Sequence, residues 1–507
     1  MASHVLAYDL GTGGVKASLH NEAGEALAAC FESYETSYPR PGFHEQNPLD
    51  WWEGVVQSTR NLLERSGIDP KSIVSLAVSG HSLGVVPIGV DGALLHTRLP
   101  IWSDGRAMQQ AQKFFKTASP DEWYMTTGNG FPAGLYSIFK LMWFQENMPE
   151  VFSRTAKFIG TKDYINYRLT GTLATDFSYA SGSGVYGLKT WKYREDYIRI
   201  SGVPANKLPE IVSSSEVLGT LLPEAAKELG LGEHVKVACG GVDNACMCLG
   251  AGCITDGAAY TSVGSSAWIA VAGHEPILDT RRKPYVFTHC VPEMFVSSTA
   301  IFAAGSCFRW LRDTVCRDLL SQPEPYDAMA ALAAQSPLGS NKLIFNPSLA
   351  GGSSLDKSPN IKGGFIGLQL GHTQADLIRS VMEGVCLNLR IALDAMQEYT
   401  PVAEDMLIVG GGGKSKFWRS LFADIYEKGI VETNIGQDAG SLGAAAVAAV
   451  GVGLWHDYSP VPKLHVPRSR LEPERENAQR YRKVLAVFSR IAGVQADIGD
   501  MIEQAQW

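Results

Sequence analysis

Long apolar runs are missing from this sequence. The most apolar late stretch, AAAVAAVGVGLW, is too short and too alanine-rich to span a bilayer. Basic charge is scarce as well: 44 Lys and Arg stand against 52 Asp and Glu, for a net charge of −8. No basic face of the kind a nucleic acid demands is therefore expected, although backbone amides alone can still hold a local anion. The opening MASHVLAYDLGTGG has no basic segment followed by an apolar core, so no signal peptide is expected. The chain is read as soluble and cytoplasmic, with neither nucleic-acid nor membrane partners. Low-complexity linkers are also absent. With 45% hydrophobic and 19% charged residues over 507 positions, the composition is that of a well-cored globular protein of two or three domains.

Nine cysteines, an odd number in a long chain, read as reduced thiols and not as a disulfide framework. Four of them fall in ACGGVDNACMCLGAGC, residues 238–253, spaced C-x6-C-x-C-x4-C. Structural zinc sites use paired C-x2-4-C knuckles, which this stretch lacks. On a helix, Cys246 and Cys248 would point about 200° apart. The cysteines therefore read as small apolar packing residues, and the distinctive residue of the stretch is its one acid, Asp243.

The chain opens as strand, turn, strand, turn, strand: HVLAYDL, GTGG, VKASLHN, EAG, EALAACFES. The glycines at 11, 13 and 14 thus sit in a hairpin, whereas nucleotide fingerprints of the Walker and Rossmann types need a helix directly after the glycines. WWEGVVQSTRNLLERSG is helical, SIVSLAVSG a strand, and PIGVDGALL a hairpin turning at Asp-Gly. A second beginning of the same shape, GAAYTSVGSSAWIAVAG, follows at 257–273 and suggests two related domains, 1–252 and 253–507. HTQADLIRSVMEGVCLNLRIALDAM carries a helical apolar stripe, with Thr373 and Asp376 spaced as a capping box. MLIVGGGGKSKFWRSLFADIY reads strand, glycine loop, helix, and DAGSLGAAAVAAV is a small-residue helix that permits close packing.

Three glycine-rich turns each follow a β-type run: GTGG at 11–14, GSS at 264–266 and GGGG at 410–413. Glycine lets backbone N–H groups approach an anion, and Thr12, Ser265 and Ser266 add hydroxyls. Any one of them alone is equally a plain tight turn; three in one chain point towards a nucleotide. Asp9, ending the first strand, is either an Asx residue steadying its turn or a carboxylate placed to hold Mg2+ near phosphates. Asp243 is either the cap of a helix starting at 244 or a general base facing a cleft. Spacing leaves both pairs of readings open.

The ordered series DLGTGGVK, PGFHEQNPLDWW, PIWSDGRA, TDFSYASG, GGVDNA, VGSSAW, GGGGKSKFW and GSLGAAAVAA resembles the FGGY carbohydrate kinases, and within them is most similar to xylulokinases. The resemblance runs colinearly over about residues 5 to 455. It implies an α/β fold of two actin-like or hexokinase-like (ribonuclease-H-like) domains around a central cleft. It also implies ATP- and Mg2+-dependent phosphorylation of a sugar hydroxyl, with D-xylulose the first candidate and another ketose, a polyol or a sugar acid the alternatives. A homodimer is compatible with the resemblance.

By the same resemblance Asp243 would be the base, with Asn244 beside it on the sugar, and Asp9 would lie near Mg2+ together with Asp243. Gly11, Thr12, Gly13 and Lys16 would form the first phosphate loop, and Gly264, Ser265 and Ser266 the second. Gly411, Gly412 and Ser415 would line the adenosine pocket with Gly305 nearby, and Trp102 and Asp104 would face the sugar. Two departures stand out. Where xylulokinases read Gly-Gln-Met-His-Gly, this chain has His81, Ser82 and Leu83, which changes the donors offered to the sugar. Where the family has Gly-Glu-Arg-x-Pro, it reads GGSSL. A sensor without catalysis on the same fold would be expected to lose Asp9, Asp243 or the glycine turns, and all are present. A dehydrogenase would need the missing strand–GxGxxG–helix unit.

Overall fold

The computed structural model describes residues 3–130 and 132–505. It divides into two compact units. The first comprises Met1–Ile254, Ala272–Ser297 and Asp438–Leu464, the second Thr255–Val271, Ser298–Gln437 and His465–Trp507. The units thus differ from the sequence halves 1–252 and 253–507 in that two later segments pack into the first unit. Among the described residues no helix is long and apolar enough to cross a membrane.

The first unit is built on strands β1 (His4–Leu10), β2 (Gly14–Asn21), β3 (Ala26–Ser33), β4 (Ile73–Gly80), β5 (Val217–Thr220), β6 (Lys236–Ala238) and β7 (Gly241–Val242). Their spatial order is β5-β6-β4-β1-β2-β3, with β7 also paired to β4. β1, β2 and β3 form the antiparallel meander expected from the two turns, and β1 runs parallel to β4. Val5, Leu6, Ala7 and Tyr8 of β1 are all buried, because a central strand covered on both faces needs a continuous apolar run. The helix Pro48–Ser66 packs against β2 and β3, with Trp51, Trp52, Val55 and Leu62 among its buried residues. Asn47 caps it by accepting the Leu49 N–H at 3.2 Å, and Gly67 closes it in the left-handed conformation. PIGVDGALL makes the expected hairpin at Asp91-Gly92 as a short one: the Gly89 N–H donates to Ala93 O at 2.8 Å and the Leu95 N–H to Pro87 O at 3.1 Å. Val86–Gly89 pairs with the distant strand Thr155–Ile159, and the local return is reduced to one bridge, Ile88 to Leu94.

The second unit carries strands β8 (Ala259–Val263), β9 (Ala267–Gly273), β10 (Phe295–Ile301), β11 (Asp405–Val409), β12 (Gly429–Thr433) and β13 (Pro467–Leu471), in the order β10-β9-β8-β11-β12-β13. Read from β13, the first four pairings repeat those of the first unit. An antiparallel edge pair leads to two parallel pairings and then to an antiparallel hairpin. The duplication suggested by DLGTGGVKASL and YTSVGSSAWIA is therefore present in the topology. The helix Gln374–Gln397 is buried along most of its length and starts at the expected box: the Thr373 N–H and hydroxyl donate to the Asp376 carboxylate at 2.8 and 2.9 Å.

Candidate active site

In the first unit the site forms where parallel strands end. β1 ends at Asp9 and Leu10, β4 at Ser79 and Gly80, and β7 leads directly into Asp243. Asp9 sits opposite Ser79, whose hydroxyl donates to its carboxylate at 2.9 Å, and opposite Lys16 on the other side. Burial pushes the Asp9 carboxyl above its ordinary range, with Ser79 and Lys16 pulling the other way. Lys16 forms an ion pair with Asp438, and its own burial lowers its pKa. The helix Ala439–Gly451 begins against Asp9: a Cβ on Gly440 would stand 2.8 Å from the Asp9 carboxylate, so a larger residue there would push that carboxylate aside.

The first turn turns its carbonyls inward. Gly11 O accepts the Tyr34 hydroxyl at 2.5 Å, Thr12 O accepts the Gln46 amide at 2.7 Å, and Gly13 O accepts the Tyr34 N–H at 3.4 Å. Nothing lies within 4 Å of a Cβ built at Gly13. An anion can approach that backbone without obstruction.

Asp243 is the first residue of the helix Asp243–Gly250, and Val242 takes the cap position. The cap reading therefore shifts by one residue. Asp243 accepts the Asn244 N–H at 2.8 Å, from the exposed amides of its own helix's first turn. Its carboxyl is pushed up to about 7, first by desolvation and then by the charge of Asp9, with the Asn244 N–H opposing both. A carboxylate titrating near neutrality suits general-base work.

The segment preceding Asp243 is held by a buried polar network that reading the sequence did not identify. Lys162 Nζ lies 2.6 Å from Asp163 and 3.0 Å from Asp176, and donates to Cys239 O at 3.1 Å. Asp176 accepts the Ser178 hydroxyl at 2.5 Å, and that hydroxyl in turn accepts the Val242 N–H at 2.9 Å. The motif TDFSYASG thereby fixes the peptide next to Asp243. The clustered cysteines pack here: Cys246 Sγ lies 3.9 Å from Cys290 Sγ, and both are buried. Among the described residues no group of three or more His, Cys, Asp and Glu is placed to hold a metal.

The residues assigned to the sugar divide. Trp102 is 42% exposed, and its indole N–H donates to the Thr12 hydroxyl at 2.9 Å, joining the IWSDGRA segment to the first turn. Ser82 is partly exposed. His81 is turned into the core against Trp51, with both ring nitrogens enclosed and its pKa lowered to about 3 by burial, so the ring is neutral. Asp104 is fully enclosed; one oxygen accepts the His44 N–H at 2.7 Å, and Arg106 bonds both. His81 and Asp104 thus support the site from within and do not line it.

Leu83 adopts φ 62, an unfavourable value for a branched side chain. Its carbonyl is held by Lys140, whose ammonium donates to Leu83 O at 2.9 Å and to Ile101 O at 2.7 Å. Lys140 is completely buried, and desolvation brings its pKa down to about 7. It pins together the two segments SGHSLG and PIWSDG. A lone Lys inside the apolar stretch SIFKLMWF was the available signal for it.

In the second unit β8 and β11 are adjacent and parallel, so the turns after Val263 and Val409 emerge at the same edge. Gly264, Ser265 and Ser266 form a tight turn, with the Gly264 N–H donating to Ser266 O at 2.9 Å. Gly305 starts the helix Gly305–Thr314, and its N–H donates to Gly264 O at 2.9 Å. A Cβ on Gly305 would come within 2.4 Å of that same oxygen. Gly412 packs on Val263, and Gly411 is exposed. Ser415 caps the helix Lys416–Tyr426 by accepting the Trp418 N–H at 3.3 Å. The Gly264–Ser266 turn, Gly305 and the GGGG loop are thus brought together on one edge of the sheet. The departure at GGSSL forms its own turn, in which the Ser353 N–H and hydroxyl donate to Asp356 at 2.7 and 3.2 Å.

Comparison with known proteins matches two family models. Residues 4–250 match the N-terminal domain of the FGGY family of carbohydrate kinases, and residues 259–452 its C-terminal domain. Xylulose kinase of Bacillus subtilis is 28% identical over 489 residues, covering 96% of each chain. Gluconokinase of Bacillus licheniformis is 28% identical over 499 residues, covering 96% of this chain and 95% of the other. Among solved structures, xylulose kinase from Lactobacillus acidophilus superposes with a TM-score of 0.89 at 28% identity, covering 97% of this chain and 98% of the other. Gluconate kinase from the same organism gives 0.89 at 28%, covering 98% and 99%.

Proposed function

This chain belongs to the FGGY family of carbohydrate kinases, and we propose that it transfers the γ-phosphoryl group of ATP to a hydroxyl of D-xylulose, giving D-xylulose 5-phosphate in the cytoplasm. The observation that carries this reading is Asp243, partly exposed at a helix start with its pKa raised to about 7. Asp243 would take the proton of the attacking hydroxyl, with Asn244 on the sugar. Phosphoryl transfer asks little covalent chemistry of the protein; positioning and charge neutralisation carry it. Gly11, Thr12, Gly13 and Lys16 would hold phosphate oxygens from the first unit. Gly264, Ser265, Ser266, Gly305, Gly411 and Gly412 would hold the nucleotide from the second, with Ser415 fixing the helix behind them. In these terms residues 1–252 would serve the sugar and 253–507 the nucleotide.

The Asp9 charge raises the Asp243 carboxyl, and two such carboxylates are oxygen donors that fit a hard divalent cation. Mg2+ held there, directly or through water, would supply charge neutralisation to the phosphates. Besides Asp243 and Asn244, Trp102 and Ser82 are the residues assigned to the sugar that have accessible surface.

D-gluconate is the second reading. A gluconate kinase matches this chain as closely in fold as a xylulose kinase does, and Leu83 stands where xylulokinases carry a histidine donor. ADP release measured with D-xylulose, D-gluconate and glycerol separates the two. The proposal expects the highest kcat/KM with D-xylulose; a higher value with gluconate transfers the assignment to the second reading.

A further inference from the structure

The GGSSL segment borders a small cavity in the second unit, and we propose that this cavity binds a monovalent alkali cation. It lies where Ala303, just past the end of β10, meets the loop bearing Ser348, Ser353 and Asp356 and meets Asn388 of the helix Gln374–Gln397. About 10 Å³ is open to the centre of a water-sized sphere, room for one body of that size. Among the described residues no Lys, Arg or His lines it. Phe302, 41% exposed, borders it and brings it within reach of solvent.

The lining presents lone pairs. The Ser353 N–H and hydroxyl are spent on Oδ2 of Asp356, at 2.7 and 3.2 Å, and leave Oδ1 open. The Ser348 N–H and hydroxyl are spent on Oδ1 of Asn346, at 3.1 and 2.8 Å. Both hydroxyl oxygens keep acceptor capacity and have no proton left to give. Asn388 is only 5% exposed, yet its side-chain amide has no hydrogen-bond partner among the described residues. A buried amide ordinarily finds one.

Asp356 forms no ion pair among the described residues, because the adjoining Lys357 reaches Asp497 at 2.5 Å. Burial raises the Asp356 carboxyl above its ordinary range, opposed only by the Ser353 N–H and hydroxyl. Buried charges are ordinarily paired or bound to metal. Ser353 stands where the Gly-Glu-Arg-x-Pro pattern carries its arginine, so the cationic side chain that pattern would bring beside Asp356 is lacking. One carboxylate with neutral oxygens carries a single negative charge, which a singly charged cation balances. Mg2+ demands near-ideal octahedral geometry and keeps several waters, for which the cavity has no room. Ala303 leads into Ala304 and Gly305, whose N–H groups donate to Ser265 O and Gly264 O, both at 2.9 Å. A cation here braces the chain that closes on the second glycine turn. On the kinase reading above, it should therefore tighten ATP and leave the sugar unaffected.

Thermal melts of the full chain, freed of metal and without nucleotide, test the site independently of that reading. They are run in potassium, sodium or tetramethylammonium chloride at equal ionic strength. Potassium or sodium should raise Tm by a few degrees over tetramethylammonium, and the rise should saturate. Asp356→Asn keeps an oxygen for the Ser353 bonds and should abolish the rise. Asn388→Leu should move its midpoint to a several-fold higher salt concentration. Ser353→Arg returns a fixed cation to the segment and should melt at one temperature in all the salts. Equal wild-type melts in every salt, the result a bound water would give, overturn the proposal. A rise that only Mg2+ produces, or one that survives Asp356→Asn, overturns it as well. Once the melts establish the site, a KM for ATP several-fold lower in the effective salt supports its tie to the nucleotide. An unchanged KM overturns that tie alone.

Discussion

At neutral pH Asp243 stands near its own midpoint, and this has consequences for both rate and stability. The base is the ionised form, so kcat should rise with pH through about 7 and level off above it. The folded-state pKa lies above the ordinary carboxylate value, so ionisation opposes folding. That cost is absent below about pH 4, where both states are protonated, grows as pH rises towards 7, and is constant beyond. Asp243→Asn should therefore raise Tm by several degrees at pH 8 and by less at pH 5, while kcat falls by about 10²–10⁴-fold. Thermal melts at the two pH values check the first statement, and steady-state rates the second.

Lys140 acts at one remove. Lys140→Met keeps the stem and removes both carbonyl bonds, freeing Leu83 and Ile101. The expected result is a KM for sugar raised about tenfold or more with KM for ATP unchanged. Lys140→Arg should recover part of the loss. Equal damage to both KM values would assign Lys140 a general structural role. Asp243 was legible in the sequence as an acid in a glycine-rich setting, but its role was not, because spacing does not reveal what desolvates a carboxyl. Lys140 was visible only as a charge in an apolar run; its partners come from turns far away in the chain.

Among the elements, two short-residue helices meet at unusually small separation. A Cβ on Gly443 would fall 1.9 Å from Cys246 O, and one on Gly250 would fall 1.7 Å from Ala439 O. The helices Asp243–Gly250 and Ala439–Gly451 therefore touch backbone to backbone, and that contact sets the distance between Asp243 and the strand bearing Asp9. Gly443→Ala should destabilise by about 1–3 kcal/mol or more, as overpacking does, and should lower kcat by displacing Asp243. Gly453→Ala meets no neighbour within 4 Å, but φ there is +74, so it should cost about 1 kcal/mol through backbone strain alone and leave kcat unaltered. Denaturant titration with parallel rate measurements distinguishes the two. DAGSLGAAAVAAV announced close packing through its composition, but its partner lies almost two hundred residues earlier, and no local pattern names it. The strands around GTGG and GSS were legible because alternation and glycine punctuate them. PIGVDGALL was legible as a hairpin turning at Asp-Gly, but its strand's longer pairing is with a distant segment that no local pattern names.

Over the whole molecule, one sheet plan is used twice, and in each unit the glycine turns lie at the ends of adjacent parallel strands. Open α/β sheets bind ligands at such strand ends. The repeated strand–turn–strand shape made the duplication readable, whereas the return of Asp438–Leu464 to the first unit was hidden, because nothing in that small-residue helix marks which sheet it covers. The measurement that bears most directly on the whole account is a single-turnover assay with ATP, Mg2+ and D-xylulose, following D-xylulose 5-phosphate in wild type and Asp243→Asn, with ATP affinity measured alongside. The account predicts stoichiometric sugar phosphate from the wild type and a rate lower by about 10²–10⁴-fold in the variant at unchanged ATP affinity. Equal rates in the two proteins, or ATP turnover that no sugar stimulates, would contradict it.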